Sequence, residues 1–383
     1  MRRPHGIAVW IALVAALLAP ILPMGARSDG AVVWIAHIGW GLPLGMAVVA
    51  GAAALLCLRG RSGLLAEAIM AAIAILIGAA PLSLLLDGGQ GSDVTFGAGA
   101  PGVWLFLLAL TALTWHVLER LSAVRAPHWV GALVVPGLFG LWLLFLWQML
   151  VVGFDVPSVL LPAPTRIAHV FGSNLGQLWL DFRQTFLKSV LAGFSLGSAA
   201  GFLVAVLVER SPFLQCGLLP LGSLVSAIPI VGIAPIMVMW FGFDWQSKAA
   251  VIVVMTFFPM LINTLAGLRS TGDIERDLMW SYAASDRQTL LKLRLPNALP
   301  FIFNALKINS TLALIGGIVA EFFGTPVVGM GFRISVEIGR MNVDVVWATI
   351  AVAALAGSSF YGLLALLERG LTFWHASYRR GYA

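Results

Sequence analysis

Long apolar runs separated by short polar stretches dominate the chain. Ten of these runs are long enough to cross a bilayer, since a transmembrane helix needs about 20 mostly apolar residues. They cover residues 7–24, 34–58, 64–86, 103–118, 130–153, 184–208, 214–242, 248–267, 299–321 and 344–367. The pattern predicts an all-α fold, a polytopic membrane helix bundle of about ten transmembrane helices.

The first run follows two basic residues, Arg2 and Arg3, as the apolar part of a signal peptide does. No clear small-x-small cleavage site comes after it, and further apolar runs succeed it along the chain. We therefore predict that the first run is retained as a transmembrane span.

Charged residues are scarce, and their distribution predicts the orientation. They make up 10% of the 383 residues, against about 25% in soluble domains. Lys and Arg concentrate in alternate segments, at 2–3, 59–61, 120–125, 269–294 and 369–380, while the predicted outer loops hold Asp29, Asp87, Asp93 and Asp155 and few basic residues. Because cytoplasmic segments carry the excess of basic residues, we predict a multi-pass protein of the cell inner membrane with both termini cytoplasmic.

The chain divides near Arg125. Residues 1–125 contain four spans with almost no ionisable side chain at mid-depth, and we predict that they form an N-terminal extension. Residues 126–383 contain six spans that are richer in proline, glycine and polar residues. Intramembrane polar groups are candidates for function, so we expect the function to lie in the second part.

The longest polar stretch lies within residues 269–300, on the predicted cytoplasmic side. Ser270 or Thr271 could cap a first short helix, and Ser285 has Gln288 three residues on, the spacing of a capping box around a second helix. Pro296 is predicted to end the second helix. Leucines interleave with the charges, so the segment is typical of a helix–turn–helix that inserts into a groove of a partner protein.

The spacing in this loop resembles that of the cytoplasmic loop of importer-type ABC permeases. The pattern there is Glu-Ala-Ala, three residues, Gly, nine residues, Ile, one residue, Leu-Pro. Here Asp277 stands at the Glu, Leu278 and Met279 at the Ala pair, Ala283 at the Gly, Leu293 at the Ile, and Leu295-Pro296 at the Leu-Pro. Alanine in place of the glycine predicts a stiffer turn, because alanine resists a positive φ.

Further motifs extend the resemblance over about residues 130–380. They are LPAPTRIAHVF at 161–171, AIPIVGIAPIMVMWFGF at 227–243, LPNALPFIFNALKI at 295–308 and GMGFRI at 329–334, and they are similar to the sulfonate, taurine and nitrate branch. The resemblance implies a type I permease core of six spans. It also implies alternating-access import of a small solute, either of the sulfonate, taurine or nitrate type or an aromatic heterocycle such as a pyrimidine or a riboflavin-like molecule.

The same resemblance implies three kinds of protein partner. They are a cytoplasmic ABC ATPase, a second permease subunit in a homo- or heterodimer, and a periplasmic substrate-binding protein. The residues implied to couple to the ATPase are Asp277, Ala283, Ala284, Ser285, Leu293, Leu295 and Pro296.

Two regions of the core are candidates for the translocation path. Pro229, Gly232 and Pro235 must interrupt helix bonding near Ser226, and irregular backbone at membrane depth needs protein contact or a watery cavity. Asn309, Thr311 and Glu321 are polar residues of the ninth span. The structural alternative for the first region is a simple kink, and the alternative for the second is hydrogen bonding between helices.

Two other features of the spans have structural interpretations. Lys307 is expected to extend toward the cytoplasmic surface along its alkyl stem. Gly193, Gly197 and Gly201 repeat the GxxxG spacing and predict close packing against a neighbouring helix.

Motifs for catalysis and metal binding are absent from the sequence. It has no phosphate-binding P-loop, HExxH, GxSxG or Cys/His metal spacing. We therefore predict that the protein is not an enzyme and has no catalytic residues, metal or cofactor. ATP would be hydrolysed by a separate subunit. The alternative is an ion-gradient-driven secondary transporter. Such a transporter would have paired intramembrane acids and inverted repeats, and neither is clear in this sequence. A membrane-embedded enzyme would need His, Asp or Glu converging at depth.

Overall fold

A computed structural model describes residues 7–27, 32–35, 40–58, 64–88, 94–95, 100–123, 133–211, 213–214, 217, 229–324 and 327–374. The chain forms two compact units, Met1–Arg166 and Ile167–Ala383. Ser226 and the basic clusters at 2–3, 59–61 and 379–380 lie outside the described residues.

The predicted class, an all-α membrane helix bundle, is confirmed. Among the described residues, seven helices are long and apolar enough to cross a membrane, and three shorter apolar helices cover 7–21, 41–57 and 231–241. Each predicted run therefore contains a helix. The run at 214–242 is described as a continuous helix only from Ile230.

The described residues of the first unit form five α-helices: α1 (Ile7–Leu18), α2 (Gly41–Leu58), α3 (Leu64–Gly88), α4 (Pro101–Ala123) and α5 (Val135–Gly153). Three very short strands form an antiparallel sheet, in which β1 (Gly25–Arg27) lies between β2 (Val32–Val33) and β3 (Val94–Thr95). Strands of two or three residues are too short to give an alternating sequence pattern, so the sequence did not predict this sheet.

The core of the first unit is centred on α4, where Phe106, Leu110 and Leu113 are fully buried. Trp142 and Met149 of α5 belong to the same apolar core. The compact unit therefore extends past the predicted boundary at residue 125. An ion pair between Arg120 Nε and Glu67 Oε2 (3.2 Å) joins α4 to α3.

The described residues of the second unit form a helical bundle with two π-helical segments. Its elements are α6 (Pro164–Ser173), α7 (Leu175–Phe182), a π-helical segment (Arg183–Val190), α8 (Leu191–Glu209), α9 (Ile230–Phe241), α10 (Trp245–Arg269), α11 (Asp273–Ser281), α12 (Asp286–Thr289), a π-helical segment (Leu290–Arg294), α13 (Leu295–Glu321), α14 (Met330–Gly339) and α15 (Val343–Leu371). Helices α6, α7 and α14 were not predicted, because they are shorter than a membrane span.

Three glycines bring α8 against α10, as their spacing predicted. A Cβ added at Gly193 would lie 2.6 Å from Ile252 Cβ. At Gly197 and Gly201 an added Cβ would overlap the Thr256 hydroxyl and the Phe257 carbonyl of α10. The two backbones therefore approach more closely than any other residue type at these positions permits.

Candidate functional site

The loop between α10 and α13 of the second unit is largely exposed. We call the end of the unit that carries this loop the loop end, and the opposite end the far end. Helix α11 has no buried residue. Its apolar side chains Ile274 and Trp280 are 84% and 83% exposed, and Leu278 and Tyr282 are also exposed. Asp277 is exposed among them, so α11 presents a mixed apolar and acidic surface.

The capping box predicted for the second helix of the loop is confirmed. The Gln288 amide donates to Ser285 Oγ (3.3 Å), and the Ser285 amide donates to Gln288 Oε1 (2.9 Å). The N-cap predicted for the first helix was wrong, because Gly272 caps α11 without a side-chain hydrogen bond. The Ser270 hydroxyl donates instead to the Gly267 carbonyl (2.8 Å) in the last turn of α10.

Ala283 has a left-handed backbone conformation, with a φ of 50°. Its amide donates to the Trp280 carbonyl (2.9 Å), and the Ala284 amide donates to the Met279 carbonyl (3.0 Å). These two bonds form the Schellman motif, which usually has glycine at this position. The turn thus keeps the glycine-type shape, although alanine occupies the position at a cost in conformational strain.

Replacing Ala283 with glycine is expected to stabilise the turn by about 1 kcal/mol, because glycine removes the clash of Cβ with the backbone. Exchange of the Ala283 and Ala284 amide hydrogens should then slow by about fivefold, measured by mass spectrometry. Ala284→Gly is the matched control, since the φ of Ala284 is not positive. Equal slowing in both variants would refute the assignment of strain to Ala283.

The root of the loop is fixed by polar contacts to two other helices. Arg294 Nη1 lies 2.6 Å from Glu209 Oε1 at the end of α8, and Arg294 Nε donates to the Leu268 carbonyl of α10 (3.2 Å). Asn297 Nδ2 donates to Ser270 Oγ (3.0 Å) and so closes the loop at its base. The exposed helices of the loop are therefore mounted on a firmly bonded root.

Pro296 does not end the second helix of the loop, and that prediction was wrong. The chain remains helical from Asp286 to Glu321. In the π-helical segment 290–294 the Leu295 amide bonds to the Leu290 carbonyl, five residues back. Pro296 follows as the second residue of α13, where its missing N–H is tolerated as it is in the first turn of a helix.

The predicted coupling residues fall into two groups. Asp277, Ala283 and Ser285 are exposed at the tip of the loop, and Ala284 beside them is half-buried. Leu293, Leu295 and Pro296 are half-buried at the root. There Leu295 packs against an apolar cluster of α10 and α13.

Several predicted path residues lie on exposed faces. Pro229 precedes the first turn of α9, and Gly232 and Pro235 follow on its exposed side. The opposite side of α9 packs through Ala234 against α10 and α13. Thr311 is exposed on α13.

The other two predicted path residues, Asn309 and Glu321, do not lie on an exposed face. Asn309 is fully buried, and its Nδ2 donates to Ser198 Oγ (3.0 Å) and to the Thr256 carbonyl (2.8 Å). It thereby joins α13 to α8 and α10. Glu321 is only 2% exposed and bonds groups of its own unit.

Glu321 binds the N-terminus of α14 at the far end. The Gly331 amide donates to Glu321 Oε2 (2.7 Å), and the Thr185 hydroxyl donates to Oε1 (2.7 Å). Thr185 Oγ1 in turn accepts the Met330 amide (2.7 Å). An N-terminal carboxylate satisfies free helix amides and the helix dipole. Gly329, with a φ of 147°, leaves room for it, since an added Cβ would lie 2.7 Å from Glu321 Cδ.

Asp181 forms the second buried contact to α14. It is fully buried, accepts the Gly329 amide at Oδ1 (2.8 Å) and pairs with Arg333 Nε at Oδ2 (2.9 Å). Arg333 Nη1 also lies 3.6 Å from Glu337 Oε1. The GMGFRI motif thus supplies the glycines and the arginine that bind two buried acids. Sequence reasoning missed Asp181 and Thr185, whose only signal was a polar residue at the start of an apolar run.

Two further polar contacts involve residues of the spans or their ends. Lys307 pairs with Glu368 Oε2 of α15 (2.8 Å). Asp244 lies between α9 and α10 and caps α10 through the Trp245 amide. A hydrogen bond from Gln184 Nε2 (2.8 Å) lowers the pKa of the Asp244 carboxyl below its usual value.

A polytopic helix bundle with an exposed two-helix loop of this spacing is the architecture of a transporter membrane subunit. The family model for the binding-protein-dependent transport system inner membrane component matches residues 197–373. The chain belongs to this family. It is the permease subunit of an ABC importer, a component of the inner membrane whose family works with an ATPase and a substrate-binding protein.

Individual relatives agree with this assignment. The riboflavin transport system permease protein RibX of Chloroflexus aurantiacus is 32% identical over 264 residues, which cover 68% of this chain and 97% of that protein. The formylaminopyrimidine transport permease protein ThiX of Halalkalibacterium halodurans is 30% identical over 62% of this chain and 95% of its own length. The taurine transport system permease protein TauC of Escherichia coli is 30% identical over 57% of this chain and 79% of its own length.

Proposed function

We propose that the loop at 269–300 docks in a groove of the ATPase subunit, with α11 as the helix that enters the groove. The observation that carries this proposal is the exposure of Ile274, Leu278 and Trp280 around Asp277 on a helix without buried residues. Large apolar side chains on a short, rigid helix are typical anchors for a hydrophobic groove. The capped turn and the bonded root would let the loop transmit force rather than bend.

The energy source in this proposal is a separate subunit. The sequence has no P-loop motif, and ATP hydrolysis belongs to the ATPase. Asp277, Ala283, Ala284 and Ser285 form the tip that contacts it, while Leu293, Leu295 and Pro296 connect the tip to the membrane helices. In this proposal the loop and both termini lie in the cytoplasm, on the side of the ATPase.

The translocation path is proposed to run along the exposed faces of α9 and α13. Pro229, Gly232, Pro235 and Thr311 lie on these faces, and Ser226 precedes them in the sequence. A second permease subunit, in a homodimer or heterodimer, would supply the opposite wall. Closure of the ATPase dimer would then rock the two permeases between inward-facing and outward-facing states.

The solute is proposed to be an aromatic heterocycle rather than a small anion. Among the described residues, no exposed side chain on α9 or α13 is charged, and Met239 and Trp240 are exposed on α9. An anion would call for basic groups along its path. The relatives named for riboflavin and formylaminopyrimidine transport match this chain over 97% and 95% of their lengths.

Residues 126–383 are proposed to be the permease core, with residues 1–125 as an added four-span segment. The 264 residues matched to RibX are more than the second compact unit contains. This length supports a core that includes α5, although α5 packs with α1–α4 in the structure.

One experiment tests both the docking and the solute. The complex of the permease, its ATPase and its binding protein is reconstituted in proteoliposomes, and ATP-driven uptake of riboflavin and of taurine is compared. Wild type should take up riboflavin, and Asp277→Lys should reduce uptake by about tenfold or more. The reason is that a reversed charge at the centre of an interface leaves its partner groups mismatched. The variant should also retain less ATPase during purification.

Glu119→Lys is the control, because Glu119 is an exposed acid on α4, outside the loop. It should leave uptake and ATPase retention unchanged. Undiminished ATPase retention by Asp277→Lys would contradict the docking assignment. Uptake of taurine in preference to riboflavin would contradict the solute assignment and leave the docking result standing.

A further inference from the structure

Arg294 lies where the loop joins the membrane helices. It is the last residue of the π-helical segment that precedes α13. Its side chain is only 18% exposed, so it has little surface to offer to a docked protein. The family pattern specifies the residues on both sides of this position and leaves the position itself open.

The Arg294 side chain connects three helices. Its Nη1 atom lies 2.6 Å from Oε1 of Glu209, which is the last residue of α8. Its Nε donates to the Leu268 carbonyl of α10 at 3.2 Å. Its own backbone leads into α13. A guanidinium group suits this position, because it is planar, always charged and has several donors in a fixed geometry. Its positive charge is also favourable beside the C-terminal ends of α8 and α10, where the helix dipole is negative.

The surroundings make this junction stiff. The hydrogen bond between Asn297 and Ser270 closes the loop at its base. Away from the loop end, the glycines of α8 hold it tightly against α10. Tightly packed helices move as rigid bodies rather than deforming continuously. A displacement of the loop root would therefore be passed to the ends of α8 and α10 through Arg294.

We propose that Arg294 is a positioning residue that transmits movement of the docked loop to α8 and α10, with Glu209 as its partner. The proposal rests on the docking of the loop to the ATPase. It assigns Arg294 a role distinct from that of the exposed tip residues, because Arg294 would affect the response of the complex and not the attachment of the ATPase.

The test uses the complete complex of permease, ATPase and binding protein in proteoliposomes. Two quantities are measured: the ATPase retained during purification, and the stimulation of ATP hydrolysis by saturating binding protein. The second requires a signal to cross the permease. Arg294→Glu should keep ATPase retention within about twofold of wild type, while stimulation falls about tenfold, as loss of a coupled, partly buried charge pair implies.

Charge reversal in pairs separates transmission from simple destabilisation. Glu209→Arg alone should reduce stimulation as Arg294→Glu does, whereas the double variant Glu209→Arg with Arg294→Glu should regain at least about a third of it by restoring the pair. Arg294→Lys, which keeps the charge and loses the fork geometry, should be intermediate.

Three results would overturn the proposal. They are unchanged stimulation in Arg294→Glu, no recovery in the double variant, and loss of ATPase retention by Arg294→Glu as severe as that of Asp277→Lys. The docking proposal fails by a different observation, namely full ATPase retention in Asp277→Lys. The two failures are therefore distinguishable.

Discussion

Replacing Gly197 with leucine is expected to prevent the second unit from folding stably. A Cβ at this position would lie 2.9 Å from Val253 Cα and would overlap the Thr256 hydroxyl, both on α10. Backbone atoms cannot yield as a flexible side chain can, so α8 and α10 must separate. Overpacking of this kind costs about 3 kcal/mol or more, and separation would also break the Asn309 bonds to Ser198 and Thr256.

Gly362→Leu is the matched control for this prediction. Gly362 also lies inside a membrane-spanning helix, α15, but a Cβ added there has no neighbour within 4 Å. The two variants are compared by the yield of monodisperse protein in detergent and by thermal unfolding. Gly197→Leu should lose most of its folded yield and Gly362→Leu should retain it. Similar melting of both variants would mean that the α8–α10 contact is looser than the structure has it.

Replacing Asp181 with asparagine is expected to detach α14 from the far end and to destabilise the second unit by about 3 kcal/mol, the cost of removing one partner of a buried ion pair. The asparagine fits the same space but has no charge for Arg333, which pairs with Asp181 at 2.9 Å. It also carries only one acceptor oxygen for the three donors, Arg333, the Gly329 amide and Gln177 Nε2.

Asp155→Asn is the control, because Asp155 is exposed and asparagine tolerates its positive φ of 50°. The midpoint of thermal unfolding should fall in Asp181→Asn and stay constant in Asp155→Asn. Hydrogen exchange of the amides of residues 329–333 should accelerate in Asp181→Asn alone. A fall in the midpoint without faster exchange in that segment would show that Asp181 does not fasten α14.

Local sequence patterns predicted a large part of this protein. The apolar runs predicted the helices because a membrane span needs a continuous apolar stretch whatever its neighbours are. The Ser285–Gln288 capping box was predictable for a similar reason, since both of its bonds lie within four consecutive residues. The spacing of Gly193, Gly197 and Gly201 predicted a close contact, although it could not name α10 as the partner.

Several polar contacts of the second unit depend on how distant parts of the chain pack. Asn309 bonds two neighbouring helices and Glu321 binds the start of α14. Pro296 looks like the end of a helix until the π-helical segment before it changes the hydrogen bonding. The partners of Asn309 and Glu321 are not adjacent to them in sequence, so no local pattern could identify those partners.

The sequence by itself determined the membrane class of the chain, the position of most spans, the two-helix loop and its family spacing. Each of these follows from the composition and order of neighbouring residues. The tertiary structure alone decided that Asp181 and Glu321 bind the GMGFRI segment and that Arg294 joins the loop to α8 and α10. The physical reason is that a buried polar group must find a partner. Which partner it finds depends on how the helices pack.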